Sequence, residues 1–344
     1  MSRESPRVIV LATGGTIAGR ADPHAAYGYA AGQVTGAQLI AGVPELARSA
    51  AVRVEQIANV GSQDINEAIW RALAARIRQI IDGDEAEGIV ITHGTDTLEE
   101  TAFFLHLVLP AAKPVVLTGA MRPSDAPDAD GPANLRAAVR VAANPLSQGR
   151  GVLVVMAGAI HGPYRVTKMH TTAIDAFQSP GNGPVGTVDS AAEAIDTATA
   201  VRYAASPPAS TPPRAPFALP QAAPLPRVDI LYAHAGMDAS PIDHAVRNGA
   251  RGMVLAGLGN GNAPQAVLAA LARVARQGVS VVRASRVPSG GVCRNVEVDD
   301  GVNGFVAARD LNPPKARVLL QLLTAHGITA PDAVQRAFDE LARG

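Results

Sequence analysis

Two stretches of the chain hold threonines in settings where a hydroxyl could act as a nucleophile. "TGGTIAG" (13–19) surrounds a threonine with glycines, and "ITHGTDTLEE" (91–100) sets Thr95 directly beside Asp96. A hydroxyl reacts poorly until a neighbouring group removes its proton. A neutral lysine, partly buried and oriented by a carboxylate, can accept that proton without histidine or metal. Lys168, in "RVTKMHTT", could complete such a threonine–lysine–aspartate relay.

Each of these features also has a simpler interpretation. "TGGTIAG" matches neither the phosphate-binding loop nor the dinucleotide-binding turn, so it could be a glycine turn with a threonine cap. Thr95 and Asp96 both suit the start of a helix. The aspartate could equally hold an ammonium group. A lysine such as Lys168 usually lies on the surface. Only the combination favours catalysis.

Short apolar runs alternate with helical patterns over the first 160 residues. Their continuous apolarity is typical of strands covered on both faces, as in a parallel α/β sheet. Ligands bind beyond the carboxyl ends of such strands, which is where "TGGTIAG", "GSQD" (61–64) and "HGTD" (93–96) lie. The predicted strands are residues 7–13, 52–57, 88–92, 114–118 and 151–156.

Helices are predicted between these strands. Ile65, Ile69, Leu73, Ile77 and Ile80 recur at helical spacing, and we interpret Asp64 and Glu67 as the start of that helix. Thr97 and Glu100 predict a capping box for the next helix. Pro132 suits the first turn of a helix over residues 132–143.

A proline-rich stretch divides the chain. Residues 206–226 contain eight of the 26 prolines, which predicts an extended linker. We therefore expect a larger, mostly parallel N-terminal α/β domain (1–205), which would be catalytic, and a smaller C-terminal α/β domain (227–344). In the second domain, strands are predicted at "VDILY", "GMVLA" and "VSVVR", and helices near 263–277, 313–325 and 331–342.

Composition excludes several classes of function. Lys plus Arg equals Asp plus Glu at 30 each, so nucleic-acid or membrane binding driven by overall charge is not expected. No apolar run reaches the length of a membrane helix. The single cysteine, Cys293, provides neither an internal disulfide nor a thiolate metal cluster. The polar start "MSRESPR" predicts no secretory signal and a cytoplasmic protein, or a periplasmic one only if a signal has been removed.

Taken together, the motifs resemble the bacterial-type L-asparaginases, amidohydrolases that convert L-asparagine to L-aspartate and ammonia. The similarity runs from about residue 7 to the C-terminus, with the motifs in the family's order. "GSQD" is closer to the high-affinity, usually secreted type II subgroup, although the chain shows neither a signal peptide nor a cysteine pair. The motifs are "LATGGTIAG", "NVGSQDINE", "ITHGTDTLEETAFFL", "GAMRPSDAPDADGPANL", "VTKMHTT", "GLGNGN" and "RVPSG…EVDDG".

The resemblance implies catalytic roles. Thr16 corresponds to the family's acyl-accepting nucleophile. Tyr29 corresponds to its nearby tyrosine, because "YAAG" has the family's spacing and Tyr27 does not, and this segment could close as a lid. Thr95, Asp96 and Lys168 correspond to a second triad that activates the nucleophile or the water. No metal and no cofactor are implied.

The resemblance also implies a binding site for a small zwitterionic substrate, L-asparagine or L-glutamine. The α-carboxylate and α-amino groups each need a charged or polar partner once desolvated. In the family, two of the positions complete the site from a neighbouring subunit, and intimate dimers pair into a homotetramer. The implied binding residues are Ser62, Gln63, Asp96, Ala120 (through its backbone), Asn262 and Glu297, of which Asn262 and Glu297 would come from that neighbour.

Other interpretations remain open at this point. Within the family, the chain could be a glutaminase-asparaginase or the amidase subunit of a tRNA-dependent amidotransferase, which usually carries an additional N-terminal region. A non-enzymatic amino-acid sensor would be expected to lack a nucleophile or Lys168, and both are present. A nucleotide-binding protein would be expected to have a phosphate-loop lysine.

Overall fold

The computed structural model describes residues 5–21, 29–189, 200–205, 217–219 and 224–343. The chain divides into two compact units, Met1–Ala218 and Leu219–Gly344. Each unit contains a sheet with parallel strands, and the first is the larger and mixed at one edge. The predicted α/β fold class, with a larger N-terminal and a smaller C-terminal domain, is confirmed.

Unit 1 is built on a sheet in which eight strands are described. Five of them, β4, β1, β5, β6 and β7, are parallel neighbours, and three short antiparallel strands extend the sheet beyond β7. The order is β12-β11-β8-β7-β6-β5-β1-β4. The strands of the unit are β1 Arg7–Gly14, β2 Arg20–Ala21, β3 Tyr29–Ala30, β4 Ala51–Val60, β5 Gly88–Thr92, β6 Val115–Thr118, β7 Val152–Met156, β8 Ala159–His161, β9 Thr167–Lys168, β10 Phe177–Gln178, β11 Gly186–Val188 and β12 Val201–Tyr203.

Helices cover the apolar strands of this sheet. On one face, Val8, Val90 and Val116 pack in a buried cluster with Leu135 and Ala138 of the helix that Pro132 opens. The helices are α1 Gly36–Ala41, α2 Glu67–Asp82, α3 Leu98–Val108 and α4 Gly131–Ala143, and 3-10 turns lie at Thr16–Ala18, Pro44–Arg48, Ser62–Asp64 and Pro145–Ser147.

One predicted helix start and one predicted capping box are wrong, although Thr97 is the N-cap residue of α3 as predicted. Asn66, not Asp64, caps α2: its side-chain oxygen accepts hydrogen bonds from the Ala68 and Ile69 N–H groups. The capping box at the start of α3 does not form, because Thr97 makes no side-chain cap. Its hydroxyl instead donates to the Ser62 carbonyl at 2.7 Å. Thr97 thus binds the Ser62 loop, whereas the Asp64 carboxylate accepts from the Gln63 side chain within its own turn.

β1 lies between β4 and β5, so three neighbouring parallel strands end side by side. The Thr16 loop (13–19) follows β1, the Ser62 loop (61–64) follows β4, and the Thr95 loop (93–97) follows β5. The sheet therefore brings the three polar clusters of the sequence to one edge.

Unit 2 is a smaller α/β structure. Its four described strands form an all-parallel sheet in the order β13-β14-β15-β16. The elements are β13 Val228–Tyr232, α5 Ser240–Arg247, β14 Gly252–Gly257, α6 Gln265–Arg276, β15 Ser280–Ser285, α7 Asp300–Asn303, β16 Phe305–Ala307, α8 Pro313–Ala325 and α9 Pro331–Arg343.

Most of the predicted proline-rich linker (206–216 and 220–223) lies outside the described residues. Phe217, within that stretch, is buried, and its N–H donates to the Leu107 carbonyl at 3.0 Å. The predicted linker bounds therefore stay a prediction. None of the described helices is both long and apolar enough to span a bilayer.

Candidate active site

The three loops are in direct backbone contact. Gly15 has φ +81°, and its N–H donates to the Val60 carbonyl at 2.8 Å. A Cβ added to Gly15 would lie 2.3 Å from the Gly94 Cα, and one added to Gly94 would lie 2.7 Å from the Ser62 Cβ. Side chains cannot fit at these contacts, so glycine is required where the Thr16, Thr95 and Ser62 loops meet.

Lys168 connects the two polar residues of the Thr95 loop. Its ammonium nitrogen donates to Thr95 Oγ1 at 2.9 Å and to Asp96 Oδ1 at 2.7 Å. The lysine side chain is 17% exposed and the aspartate side chain 62%. Thr95 itself is buried. A buried hydroxyl is therefore joined through one lysine to a carboxylate that faces solvent.

Lys168 is positioned by its backbone. It lies in β9, opposite Phe177 of β10. Its N–H donates to Glu99 Oε2 at 2.8 Å, and Glu99 is buried on α3. The sequence interpretation missed Glu99. The available indication was a carboxylate among the apolar residues of the predicted helix, two positions after "HGTDT".

Ser62 joins two of the loops. Its Oγ accepts a hydrogen bond from the Asp96 N–H at 3.0 Å, which leaves its own hydroxyl hydrogen for another acceptor. Ser62 is buried, whereas Gln63 is exposed and its side chain folds back over Gly61. Ser62 therefore contacts the Thr95 loop and Gln63 follows it in the chain, while their role in substrate binding stays a prediction.

Ala120 is buried in the segment after β6, and Asp130 holds that segment in place. The Asp130 carboxylate accepts hydrogen bonds from the N–H groups of Met121 at 3.0 Å and Arg122 at 2.9 Å. The Asn134 side chain donates to the Gly119 carbonyl at 3.1 Å. Sequence reasoning missed both residues, although both lie in the quoted motif "GAMRPSDAPDADGPANL".

Thr16 is half-buried and opens the 3-10 turn after β1, where its carbonyl accepts from the Gly19 N–H at 2.8 Å. The backbone of Tyr29 lies in β3, which pairs with β2. The Tyr29 side chain and Tyr27, the weaker match to the family spacing, both lie outside the described part of the chain.

His93 fixes the start of the Thr95 loop. Its Nδ1 lies 2.7 Å from the Gly94 carbonyl, which can only accept, so Nδ1 carries the hydrogen. Nε2 then accepts from the Thr101 hydroxyl at 2.9 Å, and Thr101 Oγ1 accepts from the Trp70 indole at 2.8 Å. Burial lowers the pKa of His93 from 6.5 to about 4. The imidazole is therefore neutral near pH 7.

In unit 2, Asn262 and Glu297 are brought together. The Asn262 side chain donates to Glu297 Oε2 at 3.0 Å, and Glu297 is exposed. The backbone of Asn262 exchanges two hydrogen bonds of 2.7 Å with Leu258, which closes a tight turn. Asn262 therefore orients a carboxylate that faces solvent.

The groups gathered in unit 1 are hydroxyls, one lysine and one exposed carboxylate. Such a set can add a hydroxyl to a carbonyl carbon and move the protons involved. No cluster of three or more His, Cys, Asp or Glu side chains is placed to hold a metal ion within the described ranges.

The family comparison agrees with this geometry. Residues 7–200 match the family described as "Asparaginase, N-terminal", and residues 227–338 match the "Glutaminase/Asparaginase C-terminal domain". A fold and a site of this kind define an amidohydrolase-type α/β protein. The chain belongs to the asparaginase family, which confirms the resemblance predicted from the motifs.

Relatives cover nearly the whole chain. "L-asparaginase 2" of Escherichia coli is 43% identical over 335 residues, 97% of this chain and 93% of the relative. "Probable L-asparaginase periplasmic" of Haemophilus influenzae is 44% identical over the same shares of the two chains. "Glutaminase-asparaginase" of Pseudomonas fluorescens is 41% identical over 314 residues, 91% of this chain and 84% of the relative.

Proposed function

We propose that this protein hydrolyses L-asparagine to L-aspartate and ammonia through an acyl-enzyme on Thr16, with a smaller activity on L-glutamine. Family membership and the names of the relatives support the reaction class. The observation that carries the proposal is the Lys168 contact with both Thr95 Oγ1 and Asp96 Oδ1. It joins a buried hydroxyl, a base and a carboxylate directly beside the glycine contact with the Thr16 loop.

In the first half of the reaction, the Thr16 hydroxyl oxygen attacks the side-chain amide carbon. The hydroxyl proton passes to the amide nitrogen through Tyr29 or the triad of Thr95, Lys168 and Asp96. The C–N bond then breaks, ammonia leaves, and an ester to Thr16 remains. Ala120 orients the amide through its backbone, and the Asp130 hydrogen bonds keep that segment rigid.

In the second half, water attacks the ester carbon and the bond to the Thr16 oxygen breaks. The Lys168 nitrogen acts as the base for the Thr95 hydroxyl across the same 2.9 Å contact, while Thr95 takes a proton from the water. The proton taken up by Lys168 returns through the relay to the Thr16 oxygen, which restores the enzyme, and the product leaves as L-aspartate. Atoms balance without any further reactant.

The charged end of the substrate would meet polar partners on the loops. Ser62 has a hydroxyl hydrogen to donate to the α-carboxylate, because its Oγ already accepts from Asp96. Gln63 lies next to it for a second contact. Asp96, more than half exposed, would hold the α-ammonium group together with Glu297.

We propose that Asn262 and Glu297 complete the site of a partner subunit in a homotetramer of intimate dimers. Apolar exposure beside Glu297 supports a covering partner: Val296 is 66% exposed and Val302 is 79% exposed. Closed two-fold symmetry would let each subunit serve the other's site in the same way.

The compartment stays a prediction. We keep the cytoplasmic location as a proposal, and the relative from Haemophilus influenzae is named periplasmic. Fractionation of cells that express the full chain, with markers for both compartments, distinguishes the two.

The test of the proposed function is ammonia release from L-asparagine and L-glutamine, measured side by side over a range of concentrations. We expect release from both, with the larger kcat/KM for L-asparagine. The Lys168→Met variant serves as the matched blank, since it keeps the length of the side chain and removes the base. Equal rates in the wild type and this variant, or no ammonia from either amide, would overturn the proposal.

A further inference from the structure

An arginine and an aspartate form a fully buried ion pair in unit 2. Arg283 lies in β15 and Asp300 begins α7, and both side chains are 0% exposed. The guanidinium donates to the carboxylate twice, from Nε to Oδ1 at 2.5 Å and from Nη2 to Oδ2 at 2.8 Å. The two groups thus form the paired contact that suits a planar guanidinium and a carboxylate.

The other guanidinium hydrogens bind backbone carbonyls of two loops. Nη1 donates to the carbonyls of Asn260 at 3.0 Å and Gly261 at 3.1 Å. Nη2 donates to the Cys293 carbonyl at 3.2 Å. A guanidinium has five N–H donors, and all five are used. Replacement by lysine, with three donors on one nitrogen, cannot reproduce this set.

The two loops are also joined to each other. We call residues 258–262 the Asn262 turn and residues 291–300 the Glu297 loop. The Cys293 N–H donates to Asn260 Oδ1 at 2.8 Å, which links turn and loop. The Asn295 N–H donates to Asp300 Oδ2 at 2.8 Å. Gly261 has φ +77°, and a Cβ there would lie 3.1 Å from Arg283 Nη1, so the turn packs directly on the guanidinium.

We propose that Arg283 and Asp300 are positioning residues for substrate binding, because they hold the Asn262 turn and the Glu297 loop in register. In that register Asn262 reaches Glu297 and orients its carboxylate toward the substrate ammonium. This inference rests on the proposed function. The carbonyl contacts go to the turn and the loop that carry these two residues, and none goes to the apolar core of unit 2.

A double variant separates positioning from folding. Removing one partner alone would leave a buried charge, whereas an apolar pair of similar volume often preserves stability. We therefore use Arg283→Met with Asp300→Leu. We expect a folded protein whose KM for L-asparagine is raised about tenfold or more, with kcat within about threefold, the pattern of a lost binding contact. Leu271→Ala, a cavity variant in the buried face of α6, controls for lost stability and is expected to leave KM unchanged.

Adding Glu297→Gln to the double variant tests whether Arg283 and Asp300 act on substrate binding through Glu297. If Arg283 and Asp300 act through Glu297, the triple variant has about the same KM as Glu297→Gln alone, because coupled effects do not add. An unchanged KM in the folded double variant would overturn the proposal. The proposal would also be overturned if the KM of the triple variant rose by the product of the two separate increases, that of the double variant and that of Glu297→Gln.

Hydrogen exchange gives a readout that is independent of activity. In the double variant, amides of the Asn262 turn and the Glu297 loop are expected to exchange about tenfold faster or more, while α6 keeps its protection. Unchanged exchange rates in the two loops would contradict the positioning role of Arg283 and Asp300. This holds whether or not the wild type is active. A wild type that is inactive on both amides would instead overturn the proposed function. If the double variant does not fold, the kinetic and hydrogen-exchange measurements are made on Arg283→Lys instead. We expect a KM between those of the wild type and Glu297→Gln, and an unchanged KM would overturn the proposal.

Discussion

At the scale of single residues, the proposed chemistry depends on two hydroxyl groups in unit 1. We expect Thr16→Ala and Thr95→Ala each to lower kcat by at least about a thousandfold, since loss of a nucleophile or its relay typically costs that much. Folding should change little, because each substitution removes a few atoms. Ammonia release and circular dichroism measure the two effects.

Thr187→Ala is the matched control for both variants, because Thr187 is an exposed threonine of β11 in the same unit. It should retain full activity. Near-normal ammonia release by the Thr16 or Thr95 variant, once contaminating wild-type enzyme is excluded, would remove that residue from the catalytic role.

The buried His93 is expected to make the unfolding free energy depend on pH. Its pKa is about 4 in the folded chain and 6.5 in its ordinary state. Below pH 6.5, His93 of the unfolded chain therefore binds a proton, whereas His93 of the folded chain stays neutral down to about pH 4. The stabilising contribution is complete above pH 6.5 and is lost as the pH falls toward 4, by roughly 3 kcal/mol at about 1.36 kcal/mol per pKa unit.

Urea unfolding of His93→Gln between pH 7 and pH 4 checks this. The variant starts less stable, because it loses the bonds to Gly94 and Thr101, but its unfolding free energy should fall less steeply with acid. His244→Gln, at an exposed histidine, should keep the wild-type slope. An unaltered slope in the His93 variant would show that this histidine does not set the acid limit.

Sequence reasoning reached some of these residues and missed others for physical reasons. Lys168 lies 72 residues from Asp96, so no local spacing could join them. The chemistry of a threonine–lysine–aspartate relay suggested the connection, and the family motifs supported it. The predicted strand "VSVVR" ends at Arg283, and nothing in the local sequence shows that this arginine is fully buried, which is rare for a charged side chain. The strand continues to Ser285, since the five hydrogen bonds of the guanidinium permit its burial.

At the scale of elements, the glycine contact between the Thr16 and Thr95 loops can be tested with a matched pair of variants. Gly15 and Gly149 have similar φ values, +81° and +77°. A Cβ at Gly15 would lie 2.3 Å from Gly94, whereas a Cβ at Gly149 would meet nothing within 4 Å. We expect Gly15→Ala to force the loops apart and lower kcat about a hundredfold or more, since small misplacements in a site cost that much.

Gly149→Ala should lower only the melting temperature, through backbone strain of about 1 kcal/mol, and keep kcat. Equal kcat values in the two alanine variants would mean that the close approach of the loops is not needed for turnover.

The regular elements were easier to predict than their ends. Continuous apolar runs predicted the parallel strands of both units except the three-residue β16, because burial on both faces leaves little choice of residue. The short strands β8, β11 and β12 were not predicted, since a strand of three residues has almost no detectable periodicity. The helix start at Asn66 was misplaced because Asp64 has an equally suitable side chain two residues earlier.

At the scale of the whole molecule, an active site that takes residues from two subunits predicts that two different inactive variants restore activity when they are mixed. Lys168→Ala subunits should be inactive, and Glu297→Ala subunits should release little ammonia at L-asparagine concentrations well below their raised KM, which are the concentrations used in this assay. When the two are mixed under mild denaturant and refolded together, half of the randomly formed two-subunit units contain both variants. One of the two sites in each mixed unit then has both an intact Lys168 and an intact Glu297, so about a quarter of wild-type activity should return.

Refolding each variant alone is the control, and native mass measurements confirm that mixed oligomers have formed. If mixed oligomers are present and ammonia release stays at the level of the parents, Glu297 serves its own chain and the proposed assembly is wrong.

The position of β1 between β4 and β5 has a consequence for how the enzyme would fail. The three loops that meet at Gly15, Gly94 and Ser62 have no scaffold of their own and depend on the alignment of strands that are distant in sequence. None of them can detach while the central strands stay paired, because the next loop blocks its backbone. Within unit 1, the contacts between the three loops would therefore be lost in the same cooperative transition that melts the sheet, and a partly unfolded population of this unit would contain either intact or fully disrupted loop contacts.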